Sequence, residues 1–175
     1  VMISQYNVVW TLESLRRARA AIEDGSFKWE IAPVTIAGRK GDTVVDTDES
    51  PGKAMPEKIP GLKPAFKKDG TVTAANSSSI SDGAAAIVMM RESTAKKLGA
   101  TPLARIVAHA QHSQEPEWFT TAPVGAVKNL MAKAGWSVDD VDLFEINEAF
   151  AVVTMAAMRE LNLDHAKVNI HGGAT

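Results

Sequence analysis

The feature that most constrains the fold is a strand pattern that runs directly into a helix pattern. Residues 141–146 alternate apolar and polar positions and carry apolar side chains on both faces, which predicts a short strand buried in a layered sheet. Apolar residues then recur at helical spacing, at Phe150, Val153, Ala157 and Leu161. Asn147 therefore stands where a strand ends and a helix begins, and α/β sheets usually bind their ligands at such positions.

From the residues alone, Asn147 and Glu148 have a purely structural interpretation. Asn is among the residues preferred as a helix N-cap, so Asn147 is predicted to cap the helix that follows. Glu148 then complements the positive end of the helix dipole. Neither role implies any chemistry.

Three motifs in a fixed order give the junction a second interpretation. Residues 147–151 read Asn-Glu-Ala-Phe-Ala, and residues 168–174 read Val-Asn-Ile-His-Gly-Gly-Ala. Residues 70–86 read Gly-Thr-Val-Thr-Ala-Ala-Asn-Ser-Ser-Ser-Ile-Ser-Asp-Gly-Ala-Ala-Ala, and residues 39–42, Arg-Lys-Gly-Asp, agree with them. Together they resemble the thiolase family, and within it the acetyl-CoA acetyltransferase branch. The resemblance covers the chain from residue 12 onward.

The resemblance implies an α/β fold in five layers, α-β-α-β-α, made of two similar domains with the active site between them. Predicted strands and helices alternate from residue 80 onward, which independently predicts right-handed crossovers and a mostly parallel sheet covered by helices. By resemblance, residues 1–79 are part of the loop domain that covers coenzyme A. Residues 80–99 close the N-terminal domain, and residues 100–175 form the first half of the C-terminal domain.

A helix is predicted over residues 11–25, with Thr11 as its N-cap and Gly25 as its stop. Its apolar stripe is predicted to comprise Leu12, Leu15, Ala18 and Ile22. The arginines of this helix are predicted to face solvent: Arg16, Arg17 and Arg19.

The remaining elements are predicted to be short. Strands at residues 31–36 and 43–45 flank a turn, and the Pro- and Gly-rich loop that follows is predicted to be irregular and pinned by Met55 and Leu62. Helices are predicted over residues 93–98 and from Pro123 to Gly135, with Ser137 and Asp140 capping a turn after them. Further strands are predicted over residues 84–90, 102–110 and 167–170.

The resemblance also implies roles for residues at the junction. In thiolases the Asn of the Asn-Glu-Ala-Phe motif holds a water that helps to form an oxyanion hole, so Asn147 is expected to stabilise an oxyanion indirectly. Ala149 and Phe150 are expected to form walls beside the pantetheine arm of coenzyme A.

Three more residues are implied to bind coenzyme A. Ser78 matches a serine that contacts the pantetheine arm near the thioester, and Ala74 lies in the stretch that lines this arm. Arg39 matches an arginine near the adenine-ribose-phosphate end, where a guanidinium offers paired hydrogen bonds to phosphate. From the residues alone, Ser78 is interpreted as a turn or cap hydroxyl and Arg39 as a solubilising charge.

The chain contains no cysteine. Thiolases use one cysteine as the nucleophile, a second to move protons and a histidine to activate the nucleophile. That histidine follows the glycine pair in a Gly-His-Pro motif, whereas His171 precedes Gly172 here, so His171 is not assigned a catalytic role. We therefore expect a partial sequence that is inactive alone. The alternative is a non-catalytic module, derived from a thiolase, that binds coenzyme A or a partner.

Other functional classes are disfavoured. A net charge of −2 argues against a nucleic-acid partner, and no apolar run is long enough to span a bilayer. His109 and His112 suggest no third metal ligand, so no metal is expected. A serine hydrolase and a Rossmann dehydrogenase are disfavoured because Gly-x-Ser-x-Gly and Gly-x-Gly-x-x-Gly motifs are absent.

The expected ligand is a coenzyme A thioester, which serves as substrate, and no bound cofactor is expected. Family members are usually homodimers or homotetramers, and such assembly is expected here. The expected compartment is the cytoplasm, with the mitochondrion or another organelle as the alternative.

Overall fold

The computed structural model describes residues 2–175, except the side chains of residues 2–4. The helices are α1 (Met2–Asp24), α2 (Glu49–Lys53), α3 (Glu92–Leu98), α4 (Ala122–Ala134) and α5 (Ala151–Leu161). The strands are β1 (Val34–Ile36) and β2 (Thr43–Val45). Short 3-10 helices are Pro56–Gly61, Pro116–Thr121, Val138–Asp140 and His165–Lys167.

Helix α1 is longer than predicted and buries a largely polar face. It starts at Met2, so the prediction that Thr11 is the N-cap is wrong: Thr11 is interior and 2% exposed. The buried face recurs at steps of three and four residues, at Asn7, Trp10, Thr11 and Ser14. Of the predicted apolar stripe, Leu15 is buried but Ile22 is exposed. Gly25 ends the helix with a φ of 76°, as predicted.

The arginines of α1 do not all face solvent. Arg16 is exposed, as predicted. The prediction is wrong for Arg17, whose Nη1 donates to the carbonyl oxygens of Val168 at 2.8 Å and Asn169 at 3.3 Å. It is also wrong for Arg19, which donates to two carbonyls of the 51–54 segment at 2.9 and 2.8 Å. Both guanidinium groups satisfy backbone acceptors of turns that pack against α1.

The predicted hairpin is present, and its strands are short. β1 and β2 pair antiparallel, with Val34 opposite Val45. In the connecting turn, the Gly41 amide donates to the Gly38 carbonyl at 3.1 Å. A Cβ at Gly38 would lie 2.7 Å from the carbonyl oxygen of Gly41, so this turn requires glycine.

The loop after the hairpin is more regular than predicted. It contains α2, where Asp48 accepts a hydrogen bond from the Ser50 amide at 3.0 Å, and the first 3-10 helix. The predicted anchors are wrong, because Met55 is 51% and Leu62 40% exposed. Ile59 is buried instead, on the 3-10 helix that packs against α1.

Two segments predicted as strands are extended and exposed. Residues 84–90 and 102–110 form no strand, and Val88 and Leu103 are 85% and 84% exposed. An extended segment becomes a strand only when a neighbouring strand pairs its backbone groups and covers its side chains. The described residues supply no such neighbour.

The central segment is also not a regular strand. Residues 141–146 and 167–170 meet in a single parallel bridge between Phe144 and Val168. The Phe144 amide donates to the Lys167 carbonyl at 2.8 Å, and the Asn169 amide donates to the Phe144 carbonyl at 2.9 Å. Phe144 and Ile146 are buried, but Leu143 is 53% exposed. One face is therefore covered, which corrects the prediction of burial on both faces.

The core lies where this bridge meets α1 and α5. Its buried members are Trp10, Phe144, Ile146, Ala151, Ala157, Leu163 and Val168. Helix α4 covers one side through Val124 and Val127. Glycines end α3 and α4 as predicted, with φ of 66° at Gly99 and 70° at Gly135. Ser137 and Asp140 form the predicted cap, with the Ser137 hydroxyl 2.7 Å from Asp140 Oδ2.

Candidate functional site

The candidate site is the loop of residues 147–150, between the central bridge and α5. Helix α5 begins at Ala151, and Phe150 is the extended residue just before it. Asn147 is therefore not the N-cap, and Glu148 is not in the first turn. The predictions that Asn147 caps the helix and that Glu148 complements its dipole are both wrong, because three residues lie between Asn147 and the first residue of α5.

Asn147 borders an apolar cleft of about 310 Å³ between α4, α5 and the 3-10 helix before α4. Asn147 itself is exposed. Most of the lining side chains are apolar, and they include Phe119, Pro123, Val127, Ala149 and Val153. An amide at the edge of such a cleft can hydrogen-bond a polar group of a ligand whose remaining surface is apolar.

The residues implied to line the pantetheine arm come together beside this loop. The Ser78 amide donates to the Ala149 carbonyl at 3.1 Å. Ser77 forms an antiparallel bridge with Phe150, and the Ala151 amide donates to the Asn76 carbonyl at 3.0 Å. Residues 76–78 thus run alongside residues 149–151, two segments that lie more than seventy positions apart in the chain.

A buried side chain shapes the turn that precedes Ser78. Asn76 is 4% exposed, accepts a hydrogen bond from the Thr73 amide at 2.9 Å and donates to the Thr71 carbonyl at 3.0 Å. Ala74 lies in this turn and is exposed. The ring of Phe150 meets Phe66 edge to face, with centroids 6.4 Å apart.

Arg39 is not part of this cluster. It lies in the turn of the β1–β2 hairpin and is exposed. Among the described residues, no hydrogen bond or ion pair joins it to the loop at 147–150 or to Ser78. The structure therefore brings together Asn147, Ala149, Phe150, Ser78 and the turn with Ala74, while Arg39 stands apart.

The most completely buried polar group at the site is the carboxylate of Glu148, whose burial the sequence analysis missed because it assigned Glu148 only to the helix dipole. Glu148 is 0% exposed. Its Oε1 accepts from Trp10 Nε1 at 3.1 Å and from Asn169 Nδ2 at 2.9 Å. Its Oε2 accepts from the Ser14 hydroxyl at 2.8 Å, and from the Thr175 amide and hydroxyl at 3.1 and 2.7 Å.

Asn169 is the second buried polar residue that sequence analysis missed. It has a positive φ of 47° and is 3% exposed. Its Oδ1 accepts from the Ile146 amide at 2.8 Å, and its Nδ2 donates to the Ile146 carbonyl at 2.9 Å as well as to Glu148. One side chain thus holds the residues on both sides of Asn147.

One pattern in the sequence could have flagged Glu148. Burial alternates along this stretch, and the sequence Phe144, Ile146, Glu148 continues on one face. A carboxylate in phase with two apolar residues is predicted to be buried and therefore to need donors. The identity of those donors has no local signal, because Ser14 lies 134 positions away in the chain.

Two titrating groups lie close to the loop. Glu145 lines the cleft and is exposed overall. Desolvation nevertheless raises the pKa of its carboxyl. The charge of His171 opposes this rise, and the charge of Glu148 adds to it. Burial lowers the pKa of His165, and the nearby charge of Arg17 acts in the same direction. The His165 ring stacks on Trp10 with centroids 4.3 Å apart.

The described residues contain no group of three His, Asp or Glu side chains that could hold a metal ion. His112 contacts Gln114 instead, with its Nε2 3.0 Å from Oε1. Residues 2–175 also include no helix with the length and apolar character needed to cross a membrane.

Comparisons with known proteins agree over nearly the whole chain. Residues 7–93 match the model of the thiolase N-terminal domain, and residues 100–175 match the model of the thiolase C-terminal domain. A probable acetyl-CoA acetyltransferase of Dictyostelium discoideum is 49% identical over 166 residues, which cover 94% of this chain and 40% of that protein.

Solved structures give the same result. The crystal structure of the Bacillus anthracis acetyl-CoA acetyltransferase superposes with a TM-score of 0.94 at 42% identity, over 98% of this chain and 44% of that one. A thiolase from Ascaris suum in complex with coenzyme A superposes with a TM-score of 0.91 at 40% identity, with the same coverage. The chain thus spans less than half the length of the proteins it matches.

Proposed function

Since this chain belongs to the thiolase family and has its α/β fold, we propose that the protein carrying it is an acyltransferase acting on coenzyme A thioesters. The proposed reaction joins two acetyl-CoA molecules into acetoacetyl-CoA, or cleaves acetoacetyl-CoA or a longer 3-ketoacyl-CoA with coenzyme A. The observation that carries the proposal is the pairing of residues 76–78 with residues 149–151 next to Asn147. The names of the similar proteins and the coenzyme A complex of one of them support it.

In this proposal Asn147 stabilises the oxyanion that develops on the thioester or enolate oxygen, through a water held by its side chain. Such a donor is effective when the fold fixes it in advance. Asn147 meets that condition, because both of its neighbours are hydrogen-bonded to Asn169. Its exposed position at the cleft leaves the amide accessible to a substrate.

Four residues are proposed to contact the pantetheine arm: Ala149, Phe150, Ser78 and Ala74. The Ser78 amide is already bonded to the Ala149 carbonyl at 3.1 Å, so these two residues form a continuous wall. Arg39 is proposed to bind the phosphates at the far end of the coenzyme, and among the described residues no hydrogen bond or ion pair joins it to the loop at the reacting end. The 175-residue chain alone is proposed to be inactive, because it contains no cysteine nucleophile.

The test uses the intact natural protein that carries this sequence. Thiolysis of acetoacetyl-CoA and condensation of acetyl-CoA are measured by following the thioester, and coenzyme A binding is measured by calorimetry. We expect Asn147→Ala to lower kcat by about 100-fold, as loss of one oxyanion donor does, with little change in coenzyme A affinity. Asn129→Ala is the matched control, because Asn129 is an exposed amide on α4 that bonds only the Gln111 carbonyl among the described residues.

Three results separate the possibilities. Turnover that survives Asn147→Ala unchanged contradicts the role of Asn147 but leaves the acyltransferase in place. Coenzyme A binding without turnover by the wild-type protein favours the alternative, a non-catalytic module derived from a thiolase. A wild-type protein that shows neither coenzyme A binding nor turnover would overturn both the acyltransferase and the non-catalytic coenzyme A-binding module.

Organisation and assembly are part of the proposal. Residues 1–79 are assigned to the loop domain, residues 80–99 to the end of the N-terminal domain and residues 100–175 to the C-terminal domain. The natural protein is proposed to be a homodimer or homotetramer in the cytoplasm. Limited proteolysis near residue 100 tests the domain boundary, and light scattering tests the oligomeric state. Imaging of a tagged protein tests the compartment.

A further inference from the structure

We propose that Glu148 and Asn169 are positioning residues that hold the Asn147 amide at the cleft, an inference that rests on the function proposed above. Neither side chain lines the cleft, and both are buried. They act on the reaction only through Asn147, which lies between Ile146 and Glu148 in the chain.

Five hydrogen bonds are directed at the one carboxylate of Glu148. Donors to Glu148 come from helix α1, from Asn169 and from Thr175. Burying a carboxylate is unfavourable unless hydrogen bonds replace its water, and an apolar side chain would fill the same space at lower cost. A fully satisfied buried carboxylate instead fixes the relative positions of the segments that supply its donors.

The same hydrogen-bond network holds the residues on both sides of Asn147. Asn169 bonds both backbone polar groups of Ile146, the residue before Asn147, and the side chain of Glu148, the residue after it. The hydroxyl of Thr154 adds a longer contact, 3.4 Å from the Ile146 carbonyl. Asn147 is thus fixed at both flanks, while its own side chain remains exposed at the cleft.

The backbone of residues 172–173 passes close to the Glu148 carboxylate and to helix α1. A Cβ at Gly173 would lie 2.2 Å from the Glu148 carboxyl carbon, and one at Gly172 would lie 2.5 Å from the Ser14 carbonyl oxygen. The Gly173 amide donates to the Ser14 hydroxyl at 2.9 Å, which in turn donates to Glu148. Glycine lets this segment pass against the carboxylate and become part of the same network.

Glu148→Gln is the sharpest variant, because it keeps the size of the side chain. The donors at Oε1 are Trp10 Nε1 and Asn169 Nδ2, and neither can become an acceptor. The new amide group must therefore face the Oε2 side, where the Ser14 and Thr175 hydroxyls can rotate but the Thr175 amide cannot. One mismatch in the network is expected, with the fold retained.

The experiment compares four forms of the intact natural protein: wild type, Asn147→Ala, Glu148→Gln and the double variant. We expect Glu148→Gln to lower kcat by about 10- to 100-fold, as small misplacement of an active-site group does, with little change in the KM for coenzyme A. In the Asn147→Ala background the same change is expected to have little further effect, because Glu148 acts through Asn147. Glu160→Gln, at an exposed carboxylate on α5, is the control and leaves kcat unchanged.

Each outcome decides the inference. The inference is overturned if the fold losses in kcat of Asn147→Ala and Glu148→Gln multiply in the double variant. It is also overturned if Glu148→Gln keeps the wild-type kcat. Either result leaves the proposed function intact. Absence of turnover and coenzyme A binding in the wild type would overturn the function and the inference together. If Glu148→Gln does not fold, Ser14→Ala replaces it in the same cycle, because it removes one donor and leaves Trp10, Asn169 and Thr175 on the carboxylate.

Discussion

Two regions of the chain reverse the usual burial of apolar side chains and exposure of charged ones. They are the junction around Glu148 and the exposed segments at residues 80–91 and 100–111. At the junction a carboxylate is completely buried, at 0% exposure. In the extended segments Val88 and Leu103 keep more than four fifths of their surface in solvent, at 85% and 84%. Burial in this chain therefore depends on which groups meet a side chain, and residue type alone does not decide it.

The two regions differ in the reach of their contacts. Glu148 gathers donors from α1, from Asn169 and from Thr175, so distant parts of the chain satisfy it. Residues 84–90 form an unbroken apolar run that includes the β-branched pair Ile87 and Val88, but no described strand pairs with them. A favourable local pattern is therefore not sufficient: a strand requires a neighbouring strand, and a buried charge requires hydrogen-bond donors.

Removing the carboxylate should have the largest effect on stability. We expect Glu148→Ala to lower the free energy of unfolding of this chain by about 4 kcal/mol, because several buried donors lose their acceptor and a cavity forms. Val88→Ala, in the exposed segment, is expected to change it by less than about 0.5 kcal/mol. Urea unfolding of both variants measures the difference. Equal effects would show that the junction is no more important to stability than the exposed segment.

A methyl group placed against the carboxylate should have a smaller effect. Gly173→Ala places a Cβ 2.2 Å from the Glu148 carboxyl carbon, and the resulting overpacking is expected to cost about 2 kcal/mol. Gly83→Ala is the matched control in the extended segment, where an added Cβ meets nothing within 4 Å. The control is expected to be neutral or stabilising by about 0.5 kcal/mol. Thermal unfolding compares the two, and a neutral Gly173→Ala would contradict the tight packing.

Features set by local chemistry were predictable from the sequence. Gly25, Gly99 and Gly135 were predicted as helix stops, and each has a positive φ after the last helical residue. The Ser137–Asp140 cap and the hairpin were predicted correctly for the same reason. All of these depend on interactions within a few residues, which a single sequence displays directly.

Features set by distant partners were not predictable in this way. Arg17 was predicted to face solvent, yet it bonds carbonyls about 150 positions away. The family resemblance implies only that Ser78 and Ala149 both border the pantetheine arm, and nothing in residues 76–78 indicates that the two residues pair. Glu148 shows the same limit: its alternation with Phe144 and Ile146 indicates burial, but not the donors that make burial possible.

The smallest expected effect on stability comes from Glu13, a carboxylate near the surface, in contrast to the buried carboxylate of Glu148. The pKa of the Glu13 carboxyl is lowered from 4.5 to about 2, first by hydrogen bonding to Arg16, then by hydrogen bonding to Arg17 and by the charges of both arginines, although desolvation opposes this. Because the folded-state pKa is lowered, Glu13 adds stability above its unfolded pKa, near 4.5, and that contribution disappears as the pH falls towards 2.

We expect this loss to be only about 1 kcal/mol, since a pair near the surface is screened by solvent. Glu13 keeps 28% of its side chain exposed, whereas Glu148 has none of its surface in water. The measurement is urea unfolding of the wild type and Glu13→Gln at several pH values between about 2 and 5. The variant should have a flatter pH dependence of stability than the wild type. Identical slopes for Glu13→Gln and the wild type would contradict the ion pairs of α1 as a source of pH-dependent stability.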